Sequence, residues 1–168
     1  PVADEAGVKR AMQAYREKGP SIDECKIYLG TIGGLEGLSA AGSLPTYNFR
    51  AGSFAGAGKI TGQTLADTLL VDRESCYACR NNCKRIVKAD SPYEVDPTYG
   101  GPEYETGSSL GSLLGIDDLT ALCKANEICN AYGMDTIAAG ATMAWAMECF
   151  DRGLMTPADT GGLDIRFG

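Results

Sequence analysis

The stretch Asp135-Thr136-Ile137-Ala138-Ala139-Gly140-Ala141-Thr142-Met143-Ala144-Trp145-Ala146-Met147-Glu148-Cys149-Phe150-Asp151-Arg152-Gly153 decides the fold class. An Asp ahead of an apolar run is a strong helix start, because its carboxylate accepts a backbone N–H of the first turn. Gly153 suits the left-handed position just past a helix end. Ile137, Ala141, Met143, Ala144, Trp145, Met147, Cys149 and Phe150 cover more than one helical face. That pattern predicts a buried helix from Thr136 to Arg152. Ala138, Ala139, Gly140, Ala141 and Ala144 are small enough for a second helix to come close. The Met and aromatic residues are read as core rather than as a cofactor box.

Working outward, the same signals recur. Asp117 is read as the cap of a helix ending near Tyr132, with Gly133 at its left-handed end. Glu103-Tyr104-Glu105 opens a helical stretch running to about Leu114. Residues 3–18 form an amphipathic helix with Val8, Met12 and Tyr15 at helical spacing, stopped by Gly19-Pro20. Ser21 and Glu24 make a capping box for a second helix carrying Ile22, Cys25, Ile27, Tyr28 and Leu29. Thr61 to Leu70 reads as a helix with Leu65, Leu69 and Leu70 on its apolar side. Between these lie Gly-rich loops over residues 30–58, with Leu44 to Phe49 extended, and a Pro/Gly loop over residues 90–102. Lys84 to Lys88 reads as a short strand. No GxGxxG follows a strand, so no dinucleotide fingerprint is present. The expectation is a mostly α fold: a single helical domain over residues 1–168, with Gly-rich loops and few or no strands.

Composition narrows the function classes. Of 168 residues, 44% are hydrophobic and 22% charged, which suits a folded core rather than disorder. Net charge is −7 and the pI about 4.6. That argues against nucleic acid or an anionic membrane as the main partner. No apolar run reaches the ~18 residues of a membrane span. Seven Cys, three clustered and four scattered, do not form a secreted disulfide framework. With no signal-peptide pattern at Pro1-Val2-Ala3-Asp4, a reducing, cytoplasmic setting is expected. The absent initiator Met suggests a piece of a longer chain.

Cys76-Tyr77-Ala78-Cys79-Arg80-Asn81-Asn82-Cys83 places three thiols within eight residues, spaced C-x2-C-x3-C. Thiolates favour zinc, copper(I) and iron–sulfur clusters. The chain has no His and no second CxxC to complete a zinc site. The spacing suits three ligands of a [4Fe–4S] cluster whose fourth Cys lies elsewhere. Structural zinc and unligated or disulfide-bonded thiols remain open on spacing alone. Cys76, Cys79 and Cys83 are expected on one loop with sulfurs converging. Cys25, Cys123, Cys129 and Cys149 read as buried small hydrophobes. The positive charges of Lys84, Arg85 and Lys88 either offset an anionic centre or form a solvated face. Glu103 and Glu105, two residues apart, cannot share a helix face, and both suit a helix N-terminus.

Six motifs in order carry a resemblance. They are Tyr28-Leu29-Gly30-Thr31, Leu44 to Phe49, the Cys run and Gly101-Pro102-Glu103-Tyr104-Glu105. Ala125-Asn126 leading into Cys129-Asn130-Ala131-Tyr132-Gly133-Met134-Asp135-Thr136-Ile137 follows, then Asp159 to Gly168. Together they resemble the tungsten-containing aldehyde ferredoxin oxidoreductases, through nearly all of the chain. The resemblance implies most of the middle helical domain of a longer enzyme. That enzyme oxidises aldehydes to carboxylic acids at a tungsten, or molybdenum, bis-pterin. Its electrons leave through a [4Fe–4S] cluster to ferredoxin or a similar carrier. Cys76, Cys79 and Cys83 match three cluster ligands, and Asn130, Gly133, Met134 and Asp135 a pterin-binding pattern. Glu105 matches an acidic residue beside the metal, a proton donor or acceptor. Asn130 stands where the pattern has Asp, and Met134 where it has Leu. Lys124 replaces a Glu that helps some members hold a metal at a dimer interface, and self-association into a homo-oligomer is left open. The remaining domains of the enzyme are implied partners. The same family includes tungsten benzoyl-CoA reductases, and a non-catalytic electron-relay module is the reading from a different class.

Overall fold

In the computed structural model, which describes residues 3–18, 28–77, 79 and 81–168, the Asp135 carboxylate accepts the Ala138 N–H at 2.6 Å. It starts the longest helix, Thr136–Asp151, and Gly153 follows with φ 69°. In chain order the elements are α1 (Glu5–Lys18), α2 (Leu35–Ala40), α3 (Gly62–Thr68), β1 (Leu70–Glu74), β2 (Lys84–Val87), α4 (Tyr104–Ser109), α5 (Leu119–Ala131) and α6 (Thr136–Asp151). Short 3₁₀ turns at Thr31–Gly34, Ala57–Lys59, Pro97–Tyr99 and Ser112–Leu114 connect them. The fold is mostly α, and β1 and β2 form a two-stranded antiparallel sheet.

Two apolar clusters hold the elements. Ile32, Leu35, Leu44, Ile60, Leu65, Val87 and Leu122 are buried in the first, which ties the N-terminal loops to β2 and α5. Leu110, Leu113, Leu114, Cys129, Ala144 and Met147 form the second, around α6. Gly140 permits the close approach there. A Cβ at Gly140 would lie 2.6 Å from the Ser109 carbonyl carbon at the end of α4, well inside the ~3.5–4.0 Å of ordinary carbon contact.

Several expectations are corrected. On α6 only Gly140, Ala144, Met147 and Phe150 are buried, while Ile137, Met143 and Trp145 are exposed. One stripe of the helix packs on the second cluster, so apolar content all round did not make it a buried helix. Cys149 is half-buried rather than core. The cap of α5 is Asp118, which accepts from Thr120 N and Ala121 N at 2.9 and 3.1 Å. Asp117 instead pairs with Lys59 Nζ at 2.6 Å. The helix read as Thr61 to Leu70 stops at Thr68, and Leu70 opens β1 because its partner strand claims it. Leu44 to Phe49 is not extended throughout. Thr46 bridges Ala51, and Tyr47, Asn48 and Phe49 then turn with φ of 48°, 51° and 64°. Ser112 and Leu113 carbonyls hold that turn by accepting Tyr47 N and Asn48 N. On α1, Val8 and Met12 are exposed. The second helix expected from Ser21 and Glu24 lies mostly outside the described residues, as does Cys25.

Candidate functional site

β1 and β2 pair from Leu70↔Val87 to Glu74↔Lys84, so the Cys run is the loop at the tip of a hairpin. Cys79 N–H donates to the Cys76 carbonyl at 2.9 Å, and Asn82 turns the chain with φ 49°. Cys76 is exposed, while Cys79 and Cys83 are half-buried. Burial pushes the Cys83 thiol up, and the negative charge of Glu103 pushes it further, with smaller pushes from Cys79 and Cys76. Cys76 and Cys79 therefore lie within electrostatic reach of Cys83. Among the described residues, however, no group of three or more Cys, Asp or Glu is arranged to hold a single metal ion. In a [4Fe–4S] cluster each Cys binds a different iron, so its ligands stand apart. Three soft donors on one loop fit that group better than a mononuclear ion. Among the described residues, the buried Oδ1 of Asn81, inside the same loop, finds no hydrogen-bond partner.

Arg85 anchors this loop. It shares a face of β2 with the core residue Val87, since side chains two apart on a strand point the same way. Only 2% of it is exposed. Its guanidinium donates to the carbonyls of Asn82 at 2.6 Å and Tyr28 at 2.5 Å, and its Nε to that of Cys83 at 3.3 Å. Gly30, with φ 72°, lets the upstream segment pass: a Cβ there would meet the Cys83 carbonyl at 3.0 Å and Arg85 at 3.2 Å. Burial and the charge of Arg73 push the Arg85 pKa down, with Glu103 opposing, yet a guanidinium stays protonated in proteins. Of the two sequence readings of the basic run, Arg85 is not solvated; Lys84 and Lys88 are.

A polar cleft of about 290 Å³ runs from β2 to the start of α6, with Arg85, Glu103, Thr106, Asn126, Asn130 and Thr136 in its wall. Thr31 builds one side. Its hydroxyl donates to the Glu103 carboxylate, and the same oxygen accepts Tyr104 N at 2.9 Å. The Thr106 and Thr136 hydroxyls meet at 2.8 Å. Asn130 donates to the Tyr99 carbonyl at 3.2 Å and to Asn126 Oδ1 at 3.3 Å, so its carbonyl oxygen is what it can offer a ligand.

The remaining sequence candidates fall around this cleft rather than in it. Gly133 takes φ 67° after α5. Met134 and Asp135 edge an apolar groove of about 650 Å³ with Leu110, Ile128, Thr142 and Met143. Glu105 is exposed on the first turn of α4, outside both hollows. Lys124 pairs with Glu127 at 2.5 Å, and Glu127 also accepts Asp96 N at 2.8 Å. Sequence reasoning passed over Thr31, Asn126 and the cleft position of Glu103. Their role depends on which segments the fold brings together, and no local spacing carries it.

The family model described as aldehyde ferredoxin oxidoreductase, domains 2 and 3, matches residues 8–168. This chain belongs to the aldehyde ferredoxin oxidoreductase family. It is 42% identical over 134 residues to a tungsten-containing aldehyde ferredoxin oxidoreductase of Pyrococcus horikoshii, covering 78% of this chain and 21% of that protein. The corresponding protein of Pyrococcus abyssi is 41% identical with the same coverage. An aliphatic sulfonate oxidoreductase, WOR-like subunit, of Pyrococcus furiosus is 29% identical over 86 residues, 51% of this chain and 14% of that protein. The chain thus spans about a fifth of the length of the tungsten relatives it matches. No helix among the described residues is long and apolar enough to cross a membrane.

Proposed function

We propose that this chain is the cluster-bearing helical part of a tungsten, or molybdenum, bis-pterin oxidoreductase that converts aldehydes to carboxylic acids. The observation that carries the proposal is the hairpin-tip loop of Cys76, Cys79 and Cys83 in a chain matched by the family over residues 8–168. When bound, the metal–pterin group would take two electrons from the aldehyde as water supplies the second oxygen. The chain's own residues do the rest. Cys76, Cys79 and Cys83 would hold three irons of a [4Fe–4S] cluster, with the fourth held by a Cys from the remainder of the enzyme. Asn130 offers its carbonyl oxygen to the pterin edge. Gly133 and Met134 lead the chain to Asp135, which fixes the start of α6 and would help hold the pterin. Glu105, through a carboxylate oxygen, accepts a proton as water adds to the carbonyl. Electrons leave to ferredoxin or a similar carrier in the cytoplasm.

The test uses the full-length enzyme. Iron, acid-labile sulfide and tungsten are measured, and aldehyde-dependent dye reduction is assayed. Iron, sulfide and tungsten together with turnover are expected; a cluster without turnover would leave the electron-relay reading. Reduction of an aromatic CoA thioester in place of aldehyde oxidation would move the enzyme to the benzoyl-CoA reductase branch. Glu105→Gln keeps the shape and removes the titrating proton, so kcat should fall by about 10²–10⁴ with the cluster intact. Near-normal turnover would overturn the role of Glu105, and a larger loss for Glu103→Gln would move it to Glu103 in the cleft.

A further inference from the structure

Arg85 is a fully buried cation placed under a loop of three thiols. A buried charge is costly unless its surroundings compensate it. Here three backbone carbonyls do part of that work, from Tyr28, Asn82 and Cys83. Two of the three belong to the Cys loop, and the third to the segment that Gly30 threads beneath it. An apolar residue at position 85 would fill the same strand face beside Val87 at lower cost. A lysine carries the charge on a single nitrogen and lacks the rigid fork that reaches carbonyls of two separate segments. The arrangement therefore uses both properties of arginine, its fork and its permanent charge.

We propose that Arg85 is the positioning residue of the cluster: it ties the Cys loop, through the Asn82 and Cys83 carbonyls, to the segment of Tyr28, and sets a buried positive charge beneath the loop that favours the reduced state. The inference rests on the cluster reading above. An electron arriving from substrate oxidation adds one negative charge at the loop, and no bond or proton moves. The surrounding charges are mixed. Glu103 across the cleft opposes the gain, and Arg73, facing Arg85 across the sheet, adds to it. Arg85 is buried where Arg73 is exposed, so water screens it least. Net charge and hydrogen bonding near the sulfurs are the levers that set cluster potentials.

The test is a redox titration of the full-length holoenzyme, following the electron-spin resonance signal of the reduced cluster, with iron loss to a chelator as a second readout. Arg85→Gln removes the charge. Its reduction equilibrium should fall at least tenfold, a midpoint lower by about 59 mV for one electron. Arg85→Lys keeps the charge and loses the fork. Its midpoint should stay near wild type while iron is lost about tenfold faster. Lys84→Gln, on the exposed side of the same strand, should change neither. A wild-type midpoint in Arg85→Gln, or a shift of the same size in Lys84→Gln, overturns the electrostatic half. If Arg85→Gln takes up no iron, Arg85→Lys decides: wild-type iron retention there overturns the lock. Wild-type enzyme lacking iron and acid-labile sulfide would instead overturn the cluster reading itself.

Discussion

Cys123 and Cys76 show how far surroundings divide one residue type. Cys123 is buried in the first apolar cluster beside Leu122, and burial pushes its pKa up to about 12, with Asp118 adding to the rise. At neutral pH it carries essentially no thiolate, the form that reacts. Cys76 is exposed at the hairpin tip. In the cluster-free chain, brief alkylation at pH 8 followed by mass mapping should modify Cys76 and leave Cys123 intact until denaturant is added. Equal labelling under native conditions would contradict the burial. Sequence context separated these two correctly, because an isolated Cys on an amphipathic helix behaves as a small hydrophobe. It did not separate Arg85 from Lys84, which occupy opposite faces of β2.

At the scale of elements, α6 is tied to the left-handed turn at residues 47–49 by one carboxylate. Glu148 accepts from Asn48 Nδ2 at 2.5 Å and pairs with Arg152. The Asn48 hydrogen bond holds the Glu148 pKa below the ordinary value; desolvation opposes this, and the charges of Arg152 and Arg50 reinforce it. A depressed carboxylate pKa stabilises the fold above its unfolded pKa, and the contribution disappears as pH falls through the folded one. The ordinary Glu value is about 4.3, so the window lies below that. Urea midpoints of wild type and Glu148→Gln should therefore differ at pH 7 and converge as pH drops through that window. A constant gap down to the lowest pH would show that Glu148 contributes by packing alone. The helices α1, α5 and α6 were legible because periodicity and caps are local signals. β1 was not, since Leu70 to Glu74 becomes a strand only by pairing with Lys84 to Val87.

At the scale of the whole molecule, α5, α6 and the turn between them leave apolar side chains in solvent. Ile128, Met134, Ile137, Met143 and Trp145 are all exposed along α5 and α6, and several line or adjoin the 650 Å³ groove. Ile128, Met134 and Met143 lie in the wall of that groove, and Trp145 is outside it. Trp145 is the single Trp of the sequence and is 61% exposed. The 168-residue chain should show red-shifted Trp emission, readily quenched by acrylamide. Blue-shifted, protected emission would mean that Trp145 itself is covered, either within the chain or by self-association.

Sequence alone determined what depends on near neighbours. The Asp135 cap and the helix it starts, the mostly α class, the grouping of three soft ligands within eight residues and the family register are all carried by short-range spacing. Only the tertiary structure decided which of these groups share a space. Arg85 lies under the Cys loop because strand alternation sends it inward with Val87. Glu103 enters the cleft because Thr31, 72 residues earlier, reaches its carboxylate. Asn130 joins Glu103 there while Glu105, two residues on, remains in solvent, because a short helix turns neighbouring side chains to different faces. Burial and cross-chain hydrogen bonds are properties of the packed chain, and no local pattern encodes the packing partner.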